Sequence, residues 1–162
     1  MVGSCAPSGP SLVGADGSSV DVTDDLPPGR RGRLLVFLPF AASPVCGEEA
    51  GALRDRAGDL SAAGLDVVAV TCDALPALAA WVRAERLVHP VLSDFWPHGA
   101  LASAWRVLDP VTGAPRRTSF LLDDGLVVRW RDDQPPGRAR SLDDALDAAA
   151  RLLPGTHGGG GP

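Results

Sequence analysis

The sequence predicts a single α/β domain, a mixed central sheet flanked by helices. Three observations predict it. Two continuous apolar runs, residues 34–38 (LLVFL) and 65–71 (LDVVAVT), are of the kind found in strands buried on both faces. Each run is followed by a segment with helical spacing of its apolar residues. Further on, residues 118–122 and 126–131 flank Asp123-Asp124-Gly125, a hairpin turn by composition. A chain of 162 residues buries roughly 70% of its unfolded surface and needs no metal or disulfide staple. One domain over residues 1–154 is expected, with a Gly-rich tail at 155–162 that reads as flexible.

Taken in order, residues 11–22 give two short apolar runs around Ala15-Asp16-Gly17, a hairpin signal. Pro27-Pro28-Gly29 marks a loop before the first buried strand. From Cys46 to Ala63 the pattern is helical: Cys46, Ala50, Leu53, Ala57 and Leu60 share one face, and Gly64 closes the helix. After the second buried strand, Leu75, Leu78, Ala79 and Val82 line a helix over 75–86. Residues 90–92 form a short third strand, and a brief helix is expected around 98–104. Ser141, followed by Asp144, starts the last helix in the manner of a capping box. This order matches the thioredoxin fold with an N-terminal β-hairpin extension. By pattern alone a flavodoxin-like domain fits almost as well.

Charge and composition remove several function classes. The net charge is −5, and all fifteen basic residues are arginines. An acidic chain without a basic run is a poor ligand for nucleic acid or an anionic membrane. No apolar run approaches the roughly 20 residues of a membrane span, and the first residues lack the pattern of a signal peptide. Three cysteines (Cys5, Cys46 and Cys72) at wide, irregular spacing suit neither a disulfide framework nor a metal site. A reducing cytoplasm is the expected compartment, and neither cofactor nor metal is expected.

The segment that carries chemistry is PFAASPVCGEE, residues 39–49, between a buried strand and a helix. Open α/β sheets place their ligands at such junctions. With Ser43 as N-cap, Pro44 occupies the first helical position, where a missing N–H costs nothing. Cys46 then falls at the third position, among unpaired amides at the positive end of the helix. An anion is favoured there, which favours the nucleophilic thiolate. Cys46 also belongs to the apolar stripe and could equally be a small buried core residue. Its place at the junction tips the reading toward a reactive thiol.

At this point the sequence resembles a known family. PFAASPVC is similar to the peroxiredoxin signature Pro-x-x-x-Thr/Ser-x-x-Cys, with Pro39, Ser43 and Cys46 in register. Glu49, three residues on, VVAVTCDA, VLSDFWPHGALASAW and RRTSFLLDDGLVVRW continue the resemblance in order over residues 3–150. They resemble most the one-cysteine alkyl hydroperoxide reductase E and bacterioferritin-comigratory-protein-like subgroup. The resemblance implies a thioredoxin fold and a peroxidatic Cys46 that attacks the O–O bond of a peroxide substrate. It implies that Ser43 hydrogen-bonds thiolate and peroxide, that Pro39 shields the pocket, and that Arg117 stabilises the thiolate, with Arg116 the off-by-one alternative. Glu49 is then the residue that orients the arginine. It further implies a homodimer, and a low-molecular-weight thiol or a redoxin as reductant.

Other residues read more plainly. Cys72, at the end of a core strand, is expected to be structural rather than resolving, and Cys5 lies in a mobile-looking N-terminus. Position 51, where one related subgroup carries a resolving cysteine, is Gly51. His98 reads as a hydrogen-bonded structural residue, and the tryptophans as packing or interface groups. Two competing functions remain: a thioredoxin- or glutaredoxin-like disulfide oxidoreductase using Ser43-Pro-Val-Cys46 as a degenerate CxxC, and a silent thioredoxin-fold binding module. Pro39 and Arg117 argue against the first, because disulfide exchange needs neither. The intact Ser43, Cys46 and Arg117 argue against the second.

Overall fold

The structure, a computed structural model, describes residues 1–153 and residue 155. The expected tail lies outside the described residues but for Gly155. Seven strands form one sheet in the order β2-β1-β5-β4-β3-β6-β7. β3 (Gly32–Phe37), β4 (Leu65–Thr71) and β5 (Val91–Ser93) run parallel at its centre. β6 (Thr118–Asp123) is antiparallel to β3, and β7 (Val128–Asp133) closes that edge. On the other edge the hairpin of β1 (Leu12–Gly14) and β2 (Ser19–Val20) pairs with β5. The mixed sheet with its N-terminal hairpin is therefore present, and the hairpin has a definite place beside the third parallel strand.

Each face of the sheet carries its own apolar cluster. One contains Cys46, Ala50 and Leu53 of α1 (Pro44–Asp55), Leu60 of α2 (Ala57–Ala62), Leu78 and Trp81 of α3 (Leu75–Glu85), and Ala145 and Ala148 of α5 (Leu142–Leu152). The other packs Leu101 and Ala102 of α4 (Ala100–Ala104) with Trp105, Phe37 and Phe120. Strand alternation divides the central strands between them: Val67 and Ala69 face the first cluster, Val68 and Val70 the second. β3 is buried along its whole length, as its apolar run predicts. Its one charged residue, Arg33, donates to Asp66 Oδ2 at 2.7 Å and to the Val22 carbonyl oxygen at 2.7 Å.

Two expectations need correction. The single helix over residues 46–63 is two helices, broken at Arg56, whose backbone leaves helical geometry (φ −102°, ψ 16°). Leu53 and Leu60 stay inside across the break while Ala57 does not, so the stripe persists although the backbone ladder is interrupted. Gly58, beside the break, is a weak helix former. The N-terminus, in turn, is pinned rather than loose. Gly3 N–H donates to the Val128 carbonyl, and Cys5 bridges Val127 in antiparallel fashion. That places Cys5 at the β6–β7 turn, the end of the sheet opposite Thr118.

Candidate active site

β3 ends at Phe37, and β6 begins opposite it, with Phe37 paired to Thr118. The loop leaving β3 feeds α1, while Arg117, one residue before Thr118, stands level with the start of that loop. Two segments about 70 residues apart thus meet at one end of the sheet.

α1 begins as its sequence requires. Ser43 is the N-cap (φ −72°, ψ 149°), its Oγ accepts the Cys46 backbone N–H at 3.3 Å, and Pro44 fills the first helical position. The loop before it is held by Ala41 N–H donating to Asp73 Oδ2 at 2.7 Å. Ala42, between them, sits at φ 60°, a left-handed conformation that costs an alanine about 1 kcal/mol. Local strain is therefore stored one residue from the cap.

Cys46 is at once a core residue and a neighbour of a buried cation. Its side chain has no exposed surface and belongs to the core cluster. Its Sγ nevertheless accepts hydrogen bonds from both terminal nitrogens of Arg117, each at 3.6 Å. Arg117 is buried, whereas Arg116 is exposed, so the side chain at the sulfur is Arg117. Glu49, one helical turn after Cys46, pairs with Arg117 through Oε2. Arg117 Nε is buried and has no hydrogen-bond partner among the described residues.

A further residue, Arg140, completes the site without any signal in the sequence. Its backbone N–H and its Nε donate to Glu49 Oε1 at 2.8 and 3.0 Å. The rest of its guanidinium donates to Ser119 Oγ at 2.7 Å and to the Phe37 carbonyl at 2.8 Å. Burial pushes its guanidinium below the ordinary arginine value, with Glu49 opposing that. Glu49 is thus clamped between two buried arginines, and the triad carries one net positive charge beside the sulfur. Arg140 sits 91 residues from Glu49 in an irregular segment before α5, so no periodicity or motif marks it.

A cavity of about 420 Å³ opens beside this group. Pro39, Ser43, Arg117, Phe40, Pro115, Arg116 and Pro136 are among the residues that line it. Pro39 and Ser43 are thereby brought to the same wall as Arg117.

The other two cysteines stand apart. Cys72, following Thr71 of β4, lies near the backbone of Gly99 on the α4 side of the sheet, away from α1. Burial, with Asp94 and Asp73 adding to it, pushes its thiol up to about 12. Cys5 is at the opposite end of the sheet. All three are free thiols. His98 is the structural residue expected: Nε2 pairs with the Gly113 carbonyl at 2.6 Å, and its ring meets Phe95 edge-on. Trp81 and Trp105 pack in the core, while Trp96 is exposed.

The family model described as the AhpC/TSA family matches residues 2–131. The chain belongs to the AhpC/TSA family. Within it, alkyl hydroperoxide reductase E of Mycobacterium tuberculosis is 32% identical over 124 residues, covering 76% of this chain and 81% of that protein. Peroxiredoxin 1 of Brugia malayi is 28% identical over 149 residues, covering 86% and 62% respectively. Among solved structures, that of the peroxidoxin BcpB from Mycobacterium tuberculosis superimposes with a TM-score of 0.76 at 22% identity, over 93% of this chain and 97% of that one. Its low identity makes it a match of fold, and that fold is the thioredoxin fold rather than the flavodoxin-like alternative.

Proposed function

We propose that Cys46 carries the thiol-dependent reduction of hydroperoxides in this chain. The observation that carries this assignment is the Arg117 guanidinium set on the Cys46 sulfur at the capped N-terminus of α1. In the reaction, the thiolate attacks one peroxide oxygen. An S–O bond forms, the O–O bond breaks, and its electron pair leaves on the second oxygen as alkoxide or hydroxide, which takes up a proton. Fixed donors aimed at that developing charge lower the barrier. Ser43 Oγ already accepts from Cys46 N–H, so its own proton is available to a peroxide oxygen. Arg117 Nε–H, a buried donor without a hydrogen-bond partner among the described residues, offers a second such hydrogen bond. Glu49 and Arg140 hold the guanidinium in place, and Pro39 limits water on the cavity side. An external thiol, of low molecular weight or on a redoxin, then returns the sulfenic acid to thiol.

Cys46→Ser tests this directly. Peroxide consumption should disappear while the circular dichroism spectrum is unchanged. Normal turnover by that variant would overturn the assignment.

The disulfide-exchange reading is not favoured, since neither Cys72 nor Cys5 stands on the Cys46 side of the site. Among the described residues no helix is long and apolar enough to cross a membrane. Three free thiols support work in a reducing cytoplasm. We take residues 1–154 as one catalytic unit and a homodimer as its assembly. Exposed Phe40, Phe95, Trp96 and Val111, on loops at the site's end of the sheet, support that assembly.

A further inference from the structure

The loop that carries Pro39 and Ser43 into the site is tied to the rest of the fold at one point. It runs from the end of β3 to the start of α1 at Pro44. Of the backbone N–H groups of residues 39–43, the one that donates a hydrogen bond among the described residues is that of Ala41, to Asp73 Oδ2 at 2.7 Å. The loop needs that tie. Ala42, next in the chain, is exposed and sits at φ 60°, in the left-handed region that an alanine disfavours. Such a conformation persists only where its surroundings hold it.

Asp73 is itself held by two strands. It follows the end of β4 at Thr71, and its backbone N–H donates to Thr71 Oγ1 at 3.1 Å. Its carbonyl accepts the hydroxyl of Ser93, the last residue of β5, at 2.6 Å. Thr71 and Ser93 are buried, and the Thr71 carbonyl accepts the Asp94 N–H at 2.7 Å. The half-buried carboxylate therefore stands on a fixed edge of the parallel sheet and reaches across to the loop. It is not among the residues that line the cavity.

Resting on the peroxidase reading above, we propose that Asp73 is a positioning residue for the reaction at Cys46, its carboxylate oxygen fixing the loop that presents the Ser43 hydroxyl and the Pro39 wall. What Asp73 supplies is an acceptor at one point in space. The sulfur keeps Arg117 whether or not the loop is held, because Arg117 comes from the other side, next to β6. Releasing the loop moves the Ser43 donor away from the peroxide oxygen and leaves the thiolate as nucleophilic as before. Misplacing a group by about 1 Å costs up to about 10² in rate.

Three variants separate the acceptor from the charge. Asp73→Asn keeps an oxygen at the same reach without the charge. Asp73→Glu keeps the charge and shifts the oxygen by one methylene, and Asp73→Ala removes both. Two rates are measured on the reduced full chain. One is single-turnover reaction with hydrogen peroxide, followed by tryptophan fluorescence. The other is alkylation of Cys46 by iodoacetamide, followed by peptide mass, which needs the thiolate but no donor to a leaving oxygen. The peroxide rate constant should fall about ten- to a hundredfold in Asp73→Ala and Asp73→Glu, and stay within about threefold of native in Asp73→Asn. Alkylation should be at least as fast as native in all three. Should Asp73→Ala fail to fold, the contrast between Asp73→Asn and Asp73→Glu carries the test. Native peroxide rates in Asp73→Glu overturn the proposal, as does an alkylation rate that falls in parallel with the peroxide rate. A native protein that consumes no hydrogen peroxide would instead overturn the peroxidase reading, so the two failures are distinguishable.

Discussion

Replacing Arg117 with alanine removes the cation that both terminal nitrogens bring within 3.6 Å of the Cys46 sulfur. Opposite unit charges about 4 Å apart attract by roughly 4 kcal/mol at an effective dielectric near 20. Glu49 on the same guanidinium opposes that field, but Arg140 balances Glu49, so the loss amounts to nearly one full charge. Negative charge moves from sulfur toward the leaving oxygen in the transition state, and removing one fixed donor from such a site costs about 10²–10³ in rate. Arg117→Ala should therefore lower the second-order rate constant for hydrogen peroxide by about two to three orders of magnitude. Arg117→Lys should recover part of the loss, because an ammonium restores the charge but not the fork. Single-turnover stopped-flow fluorescence measures this, with Trp96, Trp81, Trp105 and Trp130 as reporters and circular dichroism as the check on folding. The loss at Arg117 should exceed that at Arg116 at least tenfold. An Arg117→Ala rate within threefold of the native protein, or an equal loss in Arg116→Ala, would refute the electrostatic argument.

The remaining expectations concern the other titratable groups. With its thiol pushed up to about 12, only on the order of one Cys72 in ten thousand is ionised at pH 8. Iodoacetamide at that pH should leave Cys72 unlabelled in the native protein, and one equivalent of peroxide should add a single oxygen to the intact mass. A product lighter by two hydrogens, abolished by Cys72→Ser, would show a resolving cysteine instead. Glu49→Gln strands two buried guanidiniums without their carboxylate and should cost about 3–5 kcal/mol of stability in urea denaturation; a cost below about 1 kcal/mol would mean the clamp is not holding charge. His89 pairs through Nε2 with the Leu53 carbonyl, and burial holds it below its ordinary value of 6.5. The unfolded chain then binds the proton more readily, so this contribution to stability is complete above pH 6.5 and is lost as pH falls toward the lower folded value. Denaturation midpoints at descending pH should show that slope, and His89→Gln should flatten it.

Much of the architecture was legible because its signals are local. Runs of apolar residues, helical spacing and turn residues each act over a few neighbours, and β3, β4 and the β6–β7 hairpin appeared where those signals lay. The cap at Ser43 and the position of Cys46 are likewise decided within four residues, since a side-chain oxygen and an amide three residues on must meet. The break at Arg56 escaped because the apolar stripe runs through it with its phase intact, so the spacing looks like one helix whether or not the backbone ladder is continuous.

By itself, then, the sequence determined the order of the strands, the capped helix start and the thiol placed on it, along with the motifs that narrowed the arginine to Arg117 or its neighbour Arg116. Only the tertiary structure decided what surrounds that thiol. Arg140 reaches Glu49 across 91 residues of chain, and Arg117 reaches Cys46 across 71, through the antiparallel pairing of β6 with β3. Strand alternation sent Cys72 to the other face, and the β6–β7 turn carried Cys5 to the far end of the sheet. The physical reason is the range of the forces involved. Caps and periodicity are fixed by neighbours in sequence, whereas a buried charge must find its partner in whatever the folded chain brings beside it.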